Sequence, residues 1–181
     1  MGSFGKALVV ALGLFLGVPR VAHAQLEDKD VDLTATLGGS FDKAALAGGL
    51  GMRFRFAKDW HAGFGGEYNP YGSVTRLKLR RGSANFFATI DYRWLKSSRV
   101  SLTTIGYLGA SWLLFDLYGV PKGSVGPYFG LTPLCAEVRV SERVSVLIES
   151  MRVAIPLPQI SGVPFGYRQY RFSVGVAIAL D

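Results

Sequence analysis

From Val31 onward, apolar and polar residues alternate in runs of about ten, separated by connections that are alternately short and long. A two-residue period sends successive side chains to opposite faces of an extended chain, so each run predicts a strand with one apolar and one polar face. Leu50, Met52, Phe54 and Phe56 interleave with Gly49, Gly51, Arg53 and Arg55. Phe86, Ala88, Ile90 and Tyr92 interleave with Asn85, Thr89, Asp91 and Arg93, and Phe172, Val174, Val176 and Ile178 with Arg171, Ser173, Gly175, Ala177 and Ala179. Trp60, Ala62, Phe64 and Tyr68 against His61, Glu67 and Asn69 repeat the pattern more weakly.

Eight strands are predicted: Val31 to Phe41, Leu46 to Phe56, Trp60 to Asn69, Ser83 to Trp94, Val100 to Leu113, Val125 to Arg139, Val144 to Ile155 and Tyr170 to Leu180. Tight turns fall at Ala57 to Asp59, Leu95 to Arg99 and Val140 to Arg143. Longer connections, rich in Gly or Pro, fall at Pro70 to Gly82, Leu114 to Ser124 and Pro156 to Gln169, with Asp42 to Ala45 a short exception. An even number of strands with this alternation of connections predicts an all-β fold, an eight-stranded antiparallel up-and-down transmembrane β-barrel with both termini and the tight turns in the periplasm.

The same strands could form a soluble lipocalin-like barrel, apolar inside and charged outside. Two features favour the membrane. Lys29, Lys43, Lys58, Lys78, Lys96 and Lys122 all lie in the tail or the connections, whereas strand charges are Arg, Asp and Glu. Trp60 and Trp94 flank the turns while Tyr68, Trp112, Tyr128 and Tyr170 lie toward the other ends, the placing that two membrane interfaces select. Turning Arg53, Arg55, Arg93, Arg139 and Arg171 to lipid would cost roughly 2–4 kcal/mol each near the midplane. The total rivals the whole net stability of a domain, about 5–15 kcal/mol, so these arginines are expected inside. Arg152 falls on the apolar set of its strand, near the outer end, where its stem is expected to snorkel to the headgroups. Pro133 removes a ladder donor and predicts a bulge in the sixth strand. Thr104 and Ile105 sit on the wrong sets of the fifth, predicting a register change there.

The expected interior charge network is Arg53, Arg55, Glu67, Asp91, Arg93, Glu137, Arg139, Glu149 and Arg171, nearly balanced in sign. Enclosed charges of both signs predict ion pairing and a polar plug. A narrow water or ion path is the functional alternative, because inward Gly49, Gly51, Gly63, Gly65 and Gly175 leave room. Catalysis finds little support: beyond His23 there is only His61, near the periplasmic end and pointing inward. No G-x-S-x-G, no H-E-x-x-H and no metal-ligand spacing of Cys and His occurs, so no catalytic residue, metal or cofactor is predicted. The densest basic cluster, Arg76, Lys78, Arg80 and Arg81, lies in the second outer connection, where strand spacing puts Arg76, Lys78 and Arg80 on one face of a hairpin. Such a stripe suits an anionic partner such as lipopolysaccharide phosphates.

Residues 1–24 read as a cleaved secretory signal: Lys6, an apolar stretch from Ala7 to Val18, then Ala22-His23-Ala24 before Gln25. The apolar run is well short of the roughly twenty residues a spanning helix needs. The expected domain is therefore 25–181, a barrel. The chain's formal charge of +7 falls with loss of Lys6 and Arg20. The remaining surplus suits an anionic lipid surface and demands no nucleic acid. Cys135 is the single cysteine and is expected as a buried thiol.

Gly126-Pro127-Tyr128-Phe129-Gly130, the segment Glu137 to Val144 around a turn, and Tyr170-Arg171-Phe172-Ser173-Val174-Gly175-Val176 in the last strand resemble the small outer-membrane β-barrel superfamily typified by the OmpA transmembrane domain and by OmpX. The resemblance implies an integral protein of the bacterial outer membrane, a monomer, with outer-membrane lipids, lipopolysaccharide and the outer-membrane assembly machinery as partners. It also implies a structural or surface-interaction role in envelope integrity, adhesion or loop-mediated binding. A small-conductance channel is the second reading and an outer-membrane lipid-modifying enzyme the third.

Overall fold

The computed structural model describes residues 31–40, 46–69, 73–74, 77–78, 82–117, 120–157, 159–160, 163–164 and 169–180. The alternating runs become eight antiparallel strands: β1 (Val31–Ser40), β2 (Leu46–Ala57), β3 (Trp60–Asn69), β4 (Gly82–Lys96), β5 (Val100–Leu117), β6 (Val120–Arg139), β7 (Val144–Pro156) and β8 (Gln169–Leu180). Each strand pairs with its sequence neighbours, and β8 pairs with β1 from Val31↔Leu180 to Ser40↔Arg171, closing the sheet. Closure leaves no edge unpaired at membrane depth, which lipid requires because it offers no hydrogen bonds. Two small ladders, Ser73–Val74 with Leu77–Lys78 and Gln159–Ile160 with Val163–Pro164, lie in the long connections.

Two of the three tight turns are closed by serine. Ser97 donates from both its amide and its hydroxyl to the Val100 carbonyl, at 2.8 and 3.0 Å. Ser141 Oγ accepts from the Val144 amide at 3.1 Å. At the opposite end one expectation fails. The segment Leu114 to Ser124 is not a free loop: β5 and β6 run on as a ladder from Leu113↔Ser124 to Leu117↔Val120. Polar alternation stops there because no lipid face exists to enforce it, yet backbone pairing continues without it. On its β7 side β6 is held as far as Pro127, whose carbonyl accepts from the Leu157 amide at 2.8 Å; above Pro127 the described residues give it no ladder there.

The outer surface is apolar. Leu50 is 72% exposed, Phe86 60% and Leu108 61%, while Arg53, Glu67, Asp91, Arg93, Glu149 and Arg171 are buried. An apolar belt around a charged centre inverts the soluble pattern and suits only a bilayer. Trp60 packs against Tyr92 with ring centroids 4.8 Å apart and planes tilted by 44°, and Trp94 is exposed nearby, forming the periplasmic girdle. Tyr68 and Trp112 are exposed toward the outer ends.

The register change expected beside Thr104 and the bulge expected at Pro133 are one feature, and β5 itself keeps its phase. In β5 every odd residue from Ser101 to Leu113 points inward, so Ile105 belongs to the core and Thr104 to the outside. The irregularity lies in its neighbours. Between the rungs Thr103↔Cys135 and Ile105↔Thr132, β5 contributes Thr104 alone while β6 contributes Pro133 and Leu134. Between Arg171↔Arg152 and Ser173↔Glu149, β7 contributes Ser150 and Met151 against Phe172 of β8. These adjoining bulges each insert one residue, so β6 and β7 stay in phase with one another while both shift against the rest of the sheet. Carbonyls freed by the bulge are recaptured on the lipid side: Thr104 Oγ1 donates to Pro133 O and Ser150 Oγ to Leu134 O, each at 2.8 Å.

Thr104→Val and Ser150→Ala are expected to destabilise the barrel by about 1–3 kcal/mol each, because each leaves a carbonyl unsatisfied in lipid. Apolar replacement of an unpartnered lipid-facing hydroxyl would do the opposite. Urea unfolding in phospholipid vesicles distinguishes the two, and a neutral or stabilising result would remove this role from the hydroxyls.

Candidate functional site

Chemistry-bearing side chains of the strands meet in the bore, and they do so at two levels. Toward the periplasm, Arg53 on β2 donates to Asp32 Oδ2 on β1 through Nε at 3.0 Å and Nη2 at 2.9 Å, and to Glu137 Oε2 on β6 at 2.8 Å. Arg93 on β4 stands 3.6 Å from the same Glu137 oxygen. In a ring of eight, β2 and β6 are diametrically opposed, so the Arg53–Glu137 pair spans the bore.

The outer level is built the same way on a second diameter. Arg152 on β7 donates to Glu67 Oε2 on β3 at 2.8 Å and makes two contacts of 2.8 and 2.7 Å with Glu149. Arg171 on β8 donates to Glu67 and to Gln169. Asn85 Nδ2 donates to Glu67 Oε1 at 2.7 Å, and Ser173 Oγ to Glu149 Oε2 at 2.6 Å. Both carboxylates thus accept from several donors, as charges removed from water must.

An aromatic layer packs around the outer level. The Arg152 guanidinium carbon lies 4.1 Å from the Tyr107 ring centre, a cation–π distance. Phe87 meets Tyr107 edge-on at 5.2 Å and stacks on Tyr128 at 5.8 Å. Ile105, Leu147 and the free, buried Cys135 complete this layer. Inward glycines sit close against neighbouring strands: a Cβ at Gly63 would lie 2.7 Å from Thr89 Oγ1 and one at Gly51 2.9 Å from Thr34 Oγ1.

Arg152 is the main correction. The uninterrupted alternation put it toward lipid with its head at the interface. In the structure it is 5% exposed and central to the outer cluster. The bulge at Ser150–Met151 turns both Glu149 and Arg152 inward, three residues apart. The signal was present: an arginine on a lipid-facing set is costly enough that a break of phase, not snorkelling, is the cheaper solution. Asp32 was also missed, although Asp32, Thr34 and Thr36 alternate with Leu33, Ala35 and Leu37. Of the remaining expected positions, Asp91 is buried and pairs across the sheet with His61, itself buried, while Arg55 and Arg139 are half-buried near the periplasmic mouth. Arg76, Arg80 and Arg81 lie outside the described residues. Lys78 is described through its backbone ladder. Among the described residues no three His, Cys, Asp or Glu side chains are grouped to hold a metal ion.

Breaking a buried pair strands its partner, which costs far more than the pair's net contribution to stability. Glu67→Ala and Arg152→Ala are therefore each expected to cost about 3–5 kcal/mol in urea unfolding, against about 0.5 or less for Lys58→Ala in a turn. A neutral Arg152→Ala would return that side chain to the lipid interface.

No family model matches the chain, and no curated protein sequence matches it. Solved structures do. Neisserial surface protein A is similar at 14% identity, with a TM-score of 0.62 over 83% of this chain and 95% of that one. A de novo designed transmembrane β-barrel is similar at 10% identity, with a TM-score of 0.52 over 85% of this chain and 98% of that one. With its apolar belt, its two girdles and its enclosed charges, the chain has the fold of the small eight-stranded integral barrels of the bacterial outer membrane.

Proposed function

We propose that this protein is a non-enzymatic outer-membrane barrel whose closed bore stiffens a platform for its outer loops, which contact partners at the cell surface. The observation that carries this reading is the pair of arginine–carboxylate struts crossing the bore on two diameters, Arg53–Glu137 and Arg152–Glu67. An open water path would need both to be displaced, and each displacement strands buried charge. Catalysis at the outer leaflet gains no support from histidine. Of the chain's two histidines, His61 is buried near the periplasmic end and His23 lies outside the described residues. We take residues 1–24 as a cleaved signal and the mature barrel as a monomer that the outer-membrane assembly machinery inserts.

The surface contact is assigned to the segment with Arg76, Lys78, Arg80 and Arg81. It follows β3 and precedes β4, and so leaves the barrel at the end opposite the tight turns. Loops on a rigid scaffold are where binding concentrates. Four cations within six residues suit the phosphates of lipopolysaccharide, with an attraction that salt screens.

Single-channel recording in planar bilayers tests the closed bore. The native protein is expected to give no resolved steps, whereas removing both struts, with Arg53, Glu137, Glu67 and Arg152 all replaced by Ala, should admit current. Steady conductance by the native protein would make it a channel instead. For the loop, replacing Arg76, Lys78, Arg80 and Arg81 with Gln should lower lipopolysaccharide binding at low salt without unfolding the barrel. Equal binding across the salt range would leave the loop merely solvated.

A further inference from the structure

The periplasmic mouth gathers cations in a way the bore above it does not. A third bulge contributes. On the β4–β5 ladder Arg93 pairs with Thr103 and Leu95 with Leu102, which makes Trp94 the extra residue. Trp94 and Leu95 both face outward, 50 and 48% exposed. The shifted phase returns Lys96 to the inward side, opposite buried Ser101. Strict alternation would have sent Lys96 outward and Leu95 into the mouth, so the bulge places each side chain in its preferred medium.

Beneath the turn that follows is a cleft between Arg93, Lys96, Arg99 and Arg139, with Glu137 as its single carboxylate. Glu137 already accepts from Arg53, so the field of the cleft is positive. The turn is held rigid by the Ser97–Val100 bonds and by Arg139 N donating to Arg99 O at 2.8 Å. A second cleft shares Arg93, Glu137 and Arg139 and adds Arg143, but Asp32 and Glu142 also line it and balance its charge, so the positive field belongs to the first cleft alone. Each has room for about 20 Å³, enough for one oxygen of an anion and not for a whole ligand.

We propose that this rim is a headgroup site for an anionic phospholipid of the periplasmic leaflet. The wall of the cleft is the β4–β5 turn itself. On the far side of that wall, Trp94 and Leu95 lie against lipid, beside the Trp60–Tyr92 pair. Acyl chains packed there bring a phosphodiester to the height of the turn, where one of its oxygens reaches over the rim to Lys96 and Arg99. Anionic headgroups are the anions this rim always adjoins, and basic groups at headgroup height attract them over about a Debye length.

The test is native mass spectrometry of the protein released from nanodiscs holding phosphatidylethanolamine and phosphatidylglycerol in equal amounts. Wild type is expected to retain phosphatidylglycerol selectively. Lys96→Gln with Arg99→Gln should lower that retention about fivefold or more. Ser98→Glu, which adds a carboxylate on the exposed turn and removes no existing contact of the cations, should do the same. Lys58→Gln, on the neighbouring turn at the same end, should leave retention unchanged. Heat-modifiable migration in SDS confirms that each variant is folded. Equal retention in wild type and both cleft variants overturns the proposal, and so does an equal loss in Lys58→Gln, which would reduce the effect to net charge. Binding of wild type to purified peptidoglycan that both cleft variants abolish, with lipid retention unchanged, would give the site to the cell wall and overturn it as well.

Discussion

The arrangement depends on one electrostatic constraint: a guanidinium inside a thin barrel wall has lipid on one side and a narrow low-dielectric bore on the other. Lipid is the costlier of the two, so the arginines turn inward, and once inside each needs carboxylate partners within reach. Eight strands make a bore just wide enough for one side chain to meet another from the opposite wall. Arg53 meets Glu137 and Arg152 meets Glu67 on this principle, each pair joining strands on a diameter. The pairs hold the wall in register from within, as the ladder does along it.

The wall adapts to the pairs in turn. Bulges in β6 and β7 lie where the outer cluster needs Glu149 and Arg152 on the same side. A bulge exposes backbone carbonyls, and here they face lipid, the medium least able to solvate them. Thr104 and Ser150, polar residues on an otherwise apolar surface, are explained by this: their hydroxyls return to the Pro133 and Leu134 carbonyls. The bulge at Trp94 solves a related problem at the rim by separating an apolar from a cationic side chain.

Ion pairs and aromatic rings meet inside the bore, and the two ends of the barrel carry its connections. The outer end carries the connections, among them a β5–β6 hairpin that extends past its neighbours. The periplasmic end carries short turns, two of them closed by serine, and clustered cations. The rigid interior and the different chemistry of the two ends belong together, since loops are positioned only as well as the scaffold beneath them.

Most of the barrel was legible in the sequence because lipid on one face and a charged bore on the other impose a two-residue period on every spanning segment. Leu50 to Phe56, Phe86 to Tyr92 and Phe172 to Ile178 fall on the outside as the alternation requires, and Arg53, Glu67, Arg93 and Arg171 within. The sequence also carried the tight turns, the membrane itself and the interface aromatics Trp60, Trp94, Tyr68 and Trp112, whereas Tyr128, expected among them, is buried in the bore. The period failed where one inserted residue resets the phase: Arg152 read as lipid-facing and Lys96 as part of a turn. It ended at the membrane boundary, where the β5–β6 ladder continues on backbone hydrogen bonds that no side-chain pattern reports. Which arginine meets which carboxylate was decided only by closure of the ring, because partners such as Arg53 and Glu137 stand 84 positions apart and become neighbours when their strands face across the bore.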